Sequence, residues 1–335
     1  MRHANISIFV PHLGCPHKCS FCDQNSITGT AEIPNAKSVK VAVERAVSSK
    51  DYDPNITELA FFGGSFTAID RDYMLELLDA AKRMLDQGFY KGIRISTRPD
   101  CIDDEVLALL KDYGVTAIEL GAQSMCDDVL IKNRRGHTAD DVLKASELIK
   151  KHGFSLGLQM MTGLYGSDEQ KDRQTAEAII NIKPDTVRIY PTVILKGTLL
   201  ERYYNDGSYT PPSLDCTVSL CAELLTAFEN ADINVIRLGL HSIENDTFVA
   251  GGWHPSLGEL CKSRIFLKTA KDKLSKLDAG RYILKVNPKN VSKMIGNKRE
   301  NLKALEDMGY ICKVISDSEV QVDEIISERE NDSCF

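Results

Sequence analysis

Seven short apolar runs, each closed by a polar or glycine-rich stretch and most followed by a helical pattern, constrain this chain more than any other feature. The runs lie at 4–10, 57–62, 92–96, 115–120, 154–161, 185–190 and 233–239. Helical patterns fall near 37–49, 71–87, 103–113, 138–152, 168–181 and 214–231; in the second, Met74, Leu75, Leu77, Leu78, Ala81 and Leu85 recur at helical spacing. Repeated βα units of this size imply a parallel sheet closed or partly closed into a barrel. The expected fold class is therefore α/β, with a partial TIM-type (β/α)6 barrel over about 1–255. The polar stretches sit just after the strands, at 15–22, 63–67, 96–100, Gln123-Ser124, Gln159, Tyr190-Pro191-Thr192 and His241-Ser242. In a βα barrel such loops converge on the C-terminal mouth, where these folds act.

Composition narrows the class further. The chain has 335 residues, 43% apolar and 27% charged, which is enough to build a real core and excludes disordered and fibrous classes. No run of about 18 uncharged apolar residues occurs, so no membrane span is expected. The start, Met1-Arg2-His3-Ala4-Asn5-Ile6, lacks the long apolar segment of a signal peptide, which points to the cytoplasm. Ten cysteines in a reducing compartment serve better as metal ligands or buried small side chains than as disulfides.

Three of the ten are crowded together, in Cys15-Pro16-His17-Lys18-Cys19-Ser20-Phe21-Cys22, directly after the first strand. One loop can wrap all three thiolates around a single centre. Zinc sites use four ligands built from paired units, and no second pair is visible here. Three thiolates suit a [4Fe–4S] cluster with one iron left for a non-protein ligand. Of the scattered cysteines, Cys216, Cys221 and Cys261 match no compact ligand spacing and read as buried thiols.

This CxxxCxxC loop, with Phe21 before its last cysteine, resembles that of the radical SAM superfamily. The resemblance implies that Cys15, Cys19 and Cys22 hold the cluster and that S-adenosylmethionine chelates its open iron. Reductive cleavage would then give a 5′-deoxyadenosyl radical that abstracts hydrogen from a substrate. Gly63-Gly64-Ser65-Phe66-Thr67 looks like the family's glycine-rich segment that grips the methionine amino group. Ser96-Thr97-Arg98-Pro99-Asp100, Glu119 to Ser124, Arg135-Gly136-His137-Thr138 and Arg188 to Thr192 together are similar to the Elp3-like branch, over roughly 5–240. By that resemblance the cofactor-binding candidates are Phe21, Gly63, Gly64, Ser65, Thr67, Ser96, Arg98, Gln123, Arg135 and Gln159. Substrate candidates are Tyr165, which stands where the family more usually has proline, with Tyr190, His241, Glu244, Asp246, Trp253 and His254.

From about 262 the character changes. Residues 262–303 carry thirteen Lys/Arg against three Asp/Glu, a net of +10, so the remainder of this −7 chain carries −17. A connecting helix is expected over 256–280 and a small basic α/β domain over 281–326, with strands at 282–286, 311–315 and 319–325 and a frayed polar tail over 327–335. Ile295-Gly296-Asn297-Lys298-Arg299 resembles the GxxG loop of KH domains with the second glycine replaced by arginine. Lys293, Lys298, Arg299 and Lys303 are the RNA-contact candidates this implies. The expected substrate is a nucleoside, nucleotide or tRNA, with flavodoxin or ferredoxin as electron donor. A queuine lyase acting on a queuosine nucleotide and an Elp3-like tRNA-modifying enzyme are the concrete options. An anaerobic oxidase of a tetrapyrrole-like substrate would use the same barrel without the basic tail. An RNA-binding protein with a structural cluster is the non-catalytic one. Fewer than 100 residues follow the barrel, so no acetyltransferase domain is expected.

Overall fold

The structure, a computed structural model, describes residues 4–10, 15, 18–22, 33–240, 243 and 246–330. All seven apolar runs form strands of one sheet: β1 (Ala4–Phe9), β2 (Thr57–Phe62), β3 (Ile93–Thr97), β4 (Val115–Gln123), β5 (Ser155–Thr162), β6 (Thr186–Pro191) and, after a short β7 (Val193–Leu195), β8 (Asn234–Leu238). The order is β1-β2-β3-β4-β5-β6-β8, every neighbouring pair is parallel, and β1 and β8 are the two edges. This is the curled parallel sheet of a partial barrel, six βα units and a closing strand.

The crossovers are helical: α1 (Ala36–Val47), α2 (Arg71–Asp86), α3 (Asp104–Asp112), α4 (Asp127–Lys132), α5 (Ala139–Lys151), α6 (Glu169–Ile182), α7 (Leu199–Asn205) and α8 (Leu214–Asn230). Their starts are written in the sequence. Asn35 and Thr138 close capping boxes with Ser38 and Asp141, and Asp70, Asp103 and Asp168 accept from backbone N–H groups of the first turn. Met74, Leu77, Leu78 and Ala81 of α2 are buried, so its apolar stripe faces the sheet.

The sheet's concave face is polar. Arg94 Nε donates to Glu58 Oε2 at 2.8 Å, and Arg188 grips Glu119 through Nε and Nη2 at 2.6 and 2.8 Å. Gln159 Nε2 adds a 2.9 Å bond to the same carboxylate. Two carboxylates thus meet two guanidiniums inside the barrel, as buried charges must. Gly157 makes room for this layer, since a Cβ there would lie 2.8 Å from Glu119 Cγ.

The chain divides into two compact units, Met1–Pro212 with Phe228–Trp253, and Ser213–Ala227 with His254–Phe335. The first holds the barrel sheet and a small antiparallel pair, β7 with β9 (Phe248–Gly251). That pair went unanticipated because three and four residues are too few to show a period.

In the second unit α9 (Leu257–Leu274), β10 (Gly280–Val286), α10 (Val291–Ile295), α11 (Glu300–Glu306), β11 (Tyr310–Ser316) and β12 (Ile325–Arg329) follow one another. β10 is central, parallel to β11 and antiparallel to β12. Phe266, Ala270, Leu274, Leu284, Met294 and Leu305 are among its core. The expected last strand at 319–325 is displaced to Ile325–Arg329 and runs into the stretch read as a frayed tail. Val320 and Val322 imitate a strand's alternation, but Asp317 accepts from Glu319 N and Asp323 has φ +81°, so the chain turns there. No helix among the described residues is long and apolar enough to cross a membrane.

Candidate active site

The cysteine loop leaves the C-terminal end of β1 and is held from two sides. Ser20 is fully buried; its N–H donates to Asn133 O at 3.1 Å and its hydroxyl to Asn133 Oδ1 at 2.6 Å. Its carbonyl accepts from Leu200 N, in the first turn of α7, at 2.8 Å. Asn133 closes the clamp by donating through Nδ2 to Val129 O and Tyr165 O at 2.8 and 2.9 Å. Cys15, Cys19 and Cys22 thereby face one cavity of about 470 Å³ at the mouth of the barrel, as does Phe21. Among the described residues no three His, Cys, Asp or Glu side chains are drawn close enough together to enclose a metal ion.

Arg135 touches the loop directly, with Nη1 3.2 Å from Cys19 Sγ and Nη2 donating to Gly121 O at 2.6 Å. Burial, with Cys19 alongside, pushes the Cys15 thiol above its ordinary value. Two nearby guanidiniums, Arg98 and Arg135, pull the other way.

The strand-end segments supply the rest of the wall. Gly63 and Gly64 turn through left-handed backbone, φ +81° and +53°, which glycine adopts without strain. Ser96, Arg98, Gln123, Gln159 and Tyr190 also line the cavity. Gln123 sits at φ +65° on a bulge of β4, where Gly121 leaves it space: a Cβ at 121 would lie 2.9 Å from Gln123 Nε2. Gln123 Oε1, Arg98 Nη1 and Arg135 Nε are buried without a hydrogen-bond partner. Orphaned buried polar atoms of both signs on one wall suit a zwitterionic ligand, and three thiols beside them suit an iron–sulfur cluster. The residues present fit both groups.

Other candidates fall elsewhere. Ser65 and Thr67 spend their hydroxyls on the scaffold: Ser65 Oγ meets Thr97 Oγ1 at 2.9 Å, and Thr67 Oγ1 meets Thr97 Oγ1 at 2.6 Å and donates to Cys101 O at 2.7 Å. They brace the glycine turn against β3 and are not among the residues lining the cavity. Tyr165 packs against Tyr203 with ring centroids 4.5 Å apart and planes tilted by 31°, and lies edge-on to Tyr209, in an apolar cluster that also touches Phe21. Trp253 packs on Phe248 at 5.8 Å with Val193, Leu195 and Ile243. Asp246 is exposed, and His254 belongs to the second unit, where its Nδ1 accepts from Ser256 N. His241 and Glu244 lie outside the described residues.

In the second unit Lys298, Arg299 and Lys303 are exposed. Lys293 is turned inward, its ammonium donating to Asn290 Oδ1 at 3.1 Å, and only 16% of the side chain is exposed. Sequence reading missed Asn133 altogether, because a lone asparagine at a helix end carries no motif; only its contacts reveal the clamp. Cys101, another of the scattered cysteines, lies beside Ser65 and Arg98, and burial pushes its thiol up.

Comparison with known proteins agrees with the geometry. Residues 9–179 match the radical SAM superfamily, and residues 184–266 match the radical SAM C-terminal domain. A tRNA uridine(34) acetyltransferase of Dehalococcoides mccartyi is 27% identical over 252 residues, 65% of this chain and 55% of that protein. An uncharacterized protein of Methanocaldococcus jannaschii is 29% identical over 261 residues, 74% of this chain and 78% of that one. Among solved structures, the archaeal Elp3 of Methanocaldococcus infernus lacking residues 1–46 has a similar fold, with TM-score 0.64 and 20% identity over 83% of this chain and 65% of that chain. The chain spans about half the length of the tRNA uridine(34) acetyltransferases it matches.

Proposed function

Because the chain belongs to the radical SAM superfamily, whose enzymes work with a [4Fe–4S] cluster and S-adenosylmethionine, we propose that it modifies a nucleoside of tRNA by Elp3-like radical chemistry. The observation that carries the reading is the meeting, in one cavity, of three thiols, a glycine turn and three orphaned polar atoms. Relatives named as tRNA uridine(34) acetyltransferases support tRNA as the substrate class.

Cys15, Cys19 and Cys22 would hold the cluster, and Arg135 would brace the Cys19 sulfur in place. Bound there and reduced, the cofactor pair supplies a 5′-deoxyadenosyl radical able to take a hydrogen atom from carbon. The chain's own contribution is placement. The backbone at Gly63 and Gly64, with Arg98, would orient the amino and carboxylate groups of S-adenosylmethionine. Gln123, Gln159 and Ser96 would position its adenosine. Tyr190 and Met161 would close the wall and exclude water, so that the cofactor carries the hard chemistry in a dry site.

The test is anaerobic reconstitution followed by reduction with dithionite, or with flavodoxin or ferredoxin as donor. The expected result is 5′-deoxyadenosine formed by the intact chain and not by Cys19→Ala, with turnover greater on tRNA than on free queuosine nucleotide. Full turnover by Cys19→Ala would overturn the reading. A preference for queuosine nucleotide with release of queuine would replace tRNA modification by the lyase.

A further inference from the structure

The two edge strands of the sheet also line the cavity, β1 through Asn5 and Ser7 and β8 through Ile236 and Arg237. Two of the other guanidiniums that line the cavity are paired with carboxylates, and the third is turned to the cysteine loop. Arg98 grips Asp100 through Nε and Nη2 at 2.9 and 2.7 Å, Arg135 is held by Cys19 Sγ and Gly121 O, and Arg188 is saturated by Glu119.

Arg237 differs from Arg98 and Arg188, which are paired with carboxylates. Its Nε donates to Gly239 O at 2.9 Å and its Nη2 to Leu240 O at 2.8 Å. These two bonds fix the plane of the guanidinium, and both acceptors are neutral carbonyls. No carboxylate pairs with it, and Nη1 has no partner, among the described residues. Beside it stands Tyr190, whose phenol burial pushes up while Arg188 and Arg237 pull it down. A half-buried cation that shares a cavity wall with a phenol and with the exposed polar side chains of Asn5 and Ser7 is suited to recognising an oxyanion.

We propose that Arg237 and Tyr190, with Asn5 and Ser7, form an anion subsite that anchors a phosphate or carboxylate group of the substrate where β1 and β8 line the cavity. The subsite rests on reading the cavity as the radical enzyme's substrate pocket. It fixes one end of the substrate so that the remainder extends toward the cysteine loop, where hydrogen abstraction begins. Arg237 as a mere brace for the end of β8 is the competing account, and it predicts no anion binding.

Calorimetric titration of the reconstituted holoenzyme, with S-adenosylmethionine present, by inorganic phosphate and separately by acetate separates the two. Visible absorption of the cluster reports that each variant is folded and loaded. The intact protein is expected to bind one of the two anions in the millimolar range, and Arg237→Gln to bind it about 10- to 100-fold more weakly. Arg237→Lys keeps the charge and should fall between them. Preference for phosphate would identify a nucleotide end, and preference for acetate a carboxylated substrate. Should Arg237→Gln fail to load, Tyr190→Phe carries the test, with severalfold weaker binding expected. Absence of anion binding by the intact protein, or undiminished binding by the variants, overturns the proposal. Inactivity on tRNA with anion binding intact would instead count against tRNA as the substrate.

Discussion

Asn133 carries more of the cysteine loop's placement than any residue of the cysteine motif's own surroundings. It is fully buried and satisfies Ser20 through both its backbone carbonyl and its side chain, while anchoring itself on Val129 and Tyr165. Asn133→Ala would leave the Ser20 hydroxyl and the Tyr165 carbonyl unpaired, at about 1–3 kcal/mol for each buried group. The expected outcome is a folded protein that retains less iron and sulfide per chain after reconstitution and loses them faster to a chelator; iron content equal to that of the parent would show the clamp to be dispensable. His137 gives a different residue-scale prediction. Burial, reinforced by Arg135, drives its pKa down to about 4, so it is neutral when folded. Unfolded, it titrates near 6.5, so its contribution is fully present above that pH and is lost as the pH falls toward 4, at most roughly 3 kcal/mol. Urea unfolding from pH 7 to 4.5 should therefore be less acid-sensitive in His137→Gln than in the parent. An unchanged difference between the two pH values would mean that the imidazole is already charged in the fold.

At the scale of elements, the turn between α10 and α11 keeps a glycine's backbone where the sequence has none. Lys298 and Arg299 sit at φ +48° and +65°, conformations that cost an L-residue about 1 kcal/mol each. Gly296 before them is obligatory, since a Cβ would come within 2.9 Å of Asn301 N. Arg299→Gly should therefore raise stability by about 1 kcal/mol, visible as a higher unfolding midpoint, and a lowered midpoint would show that the guanidinium's contacts outweigh the strain. The same elements show where sequence reading reaches its limit. The α2 stripe and the seven strands were legible because each rests on a period local to it. The polar residues after the strands were legible because a parallel sheet sends all its strand ends to one mouth. What was not legible depends on contacts distant in sequence. Ser65 and Thr67 look like cofactor ligands in the chain, but their hydroxyls are spent on Thr97, about thirty residues away. Lys293 looks like a free cation until Asn290 and the fold of the domain turn it inward.

Over the whole molecule, charge separates along the chain, −17 outside residues 262–303 and +10 within them. An acidic body repels a polyanion, so any hold on tRNA must be concentrated in the basic segment and must work by displacing counterions from phosphates. Each phosphate contact of this kind adds close to one unit to the slope of log affinity against log salt. Lys298 and Arg299 are the exposed cations on the strained turn, presented together and free of the inward bonds that claim Lys293. On the proposed tRNA reading, binding of tRNA by the holoenzyme should weaken steeply as salt rises. Replacing Lys298 and Arg299 together by glutamine should reduce that slope by about two while the cluster's absorption and S-adenosylmethionine binding stay those of the parent. A double variant with the parent's slope would move the contact to other cations of 262–303, such as Lys303. A parent whose affinity does not depend on salt would mean that tRNA is not held through its phosphates, and would shift the weight to a small anionic substrate recognised inside the barrel.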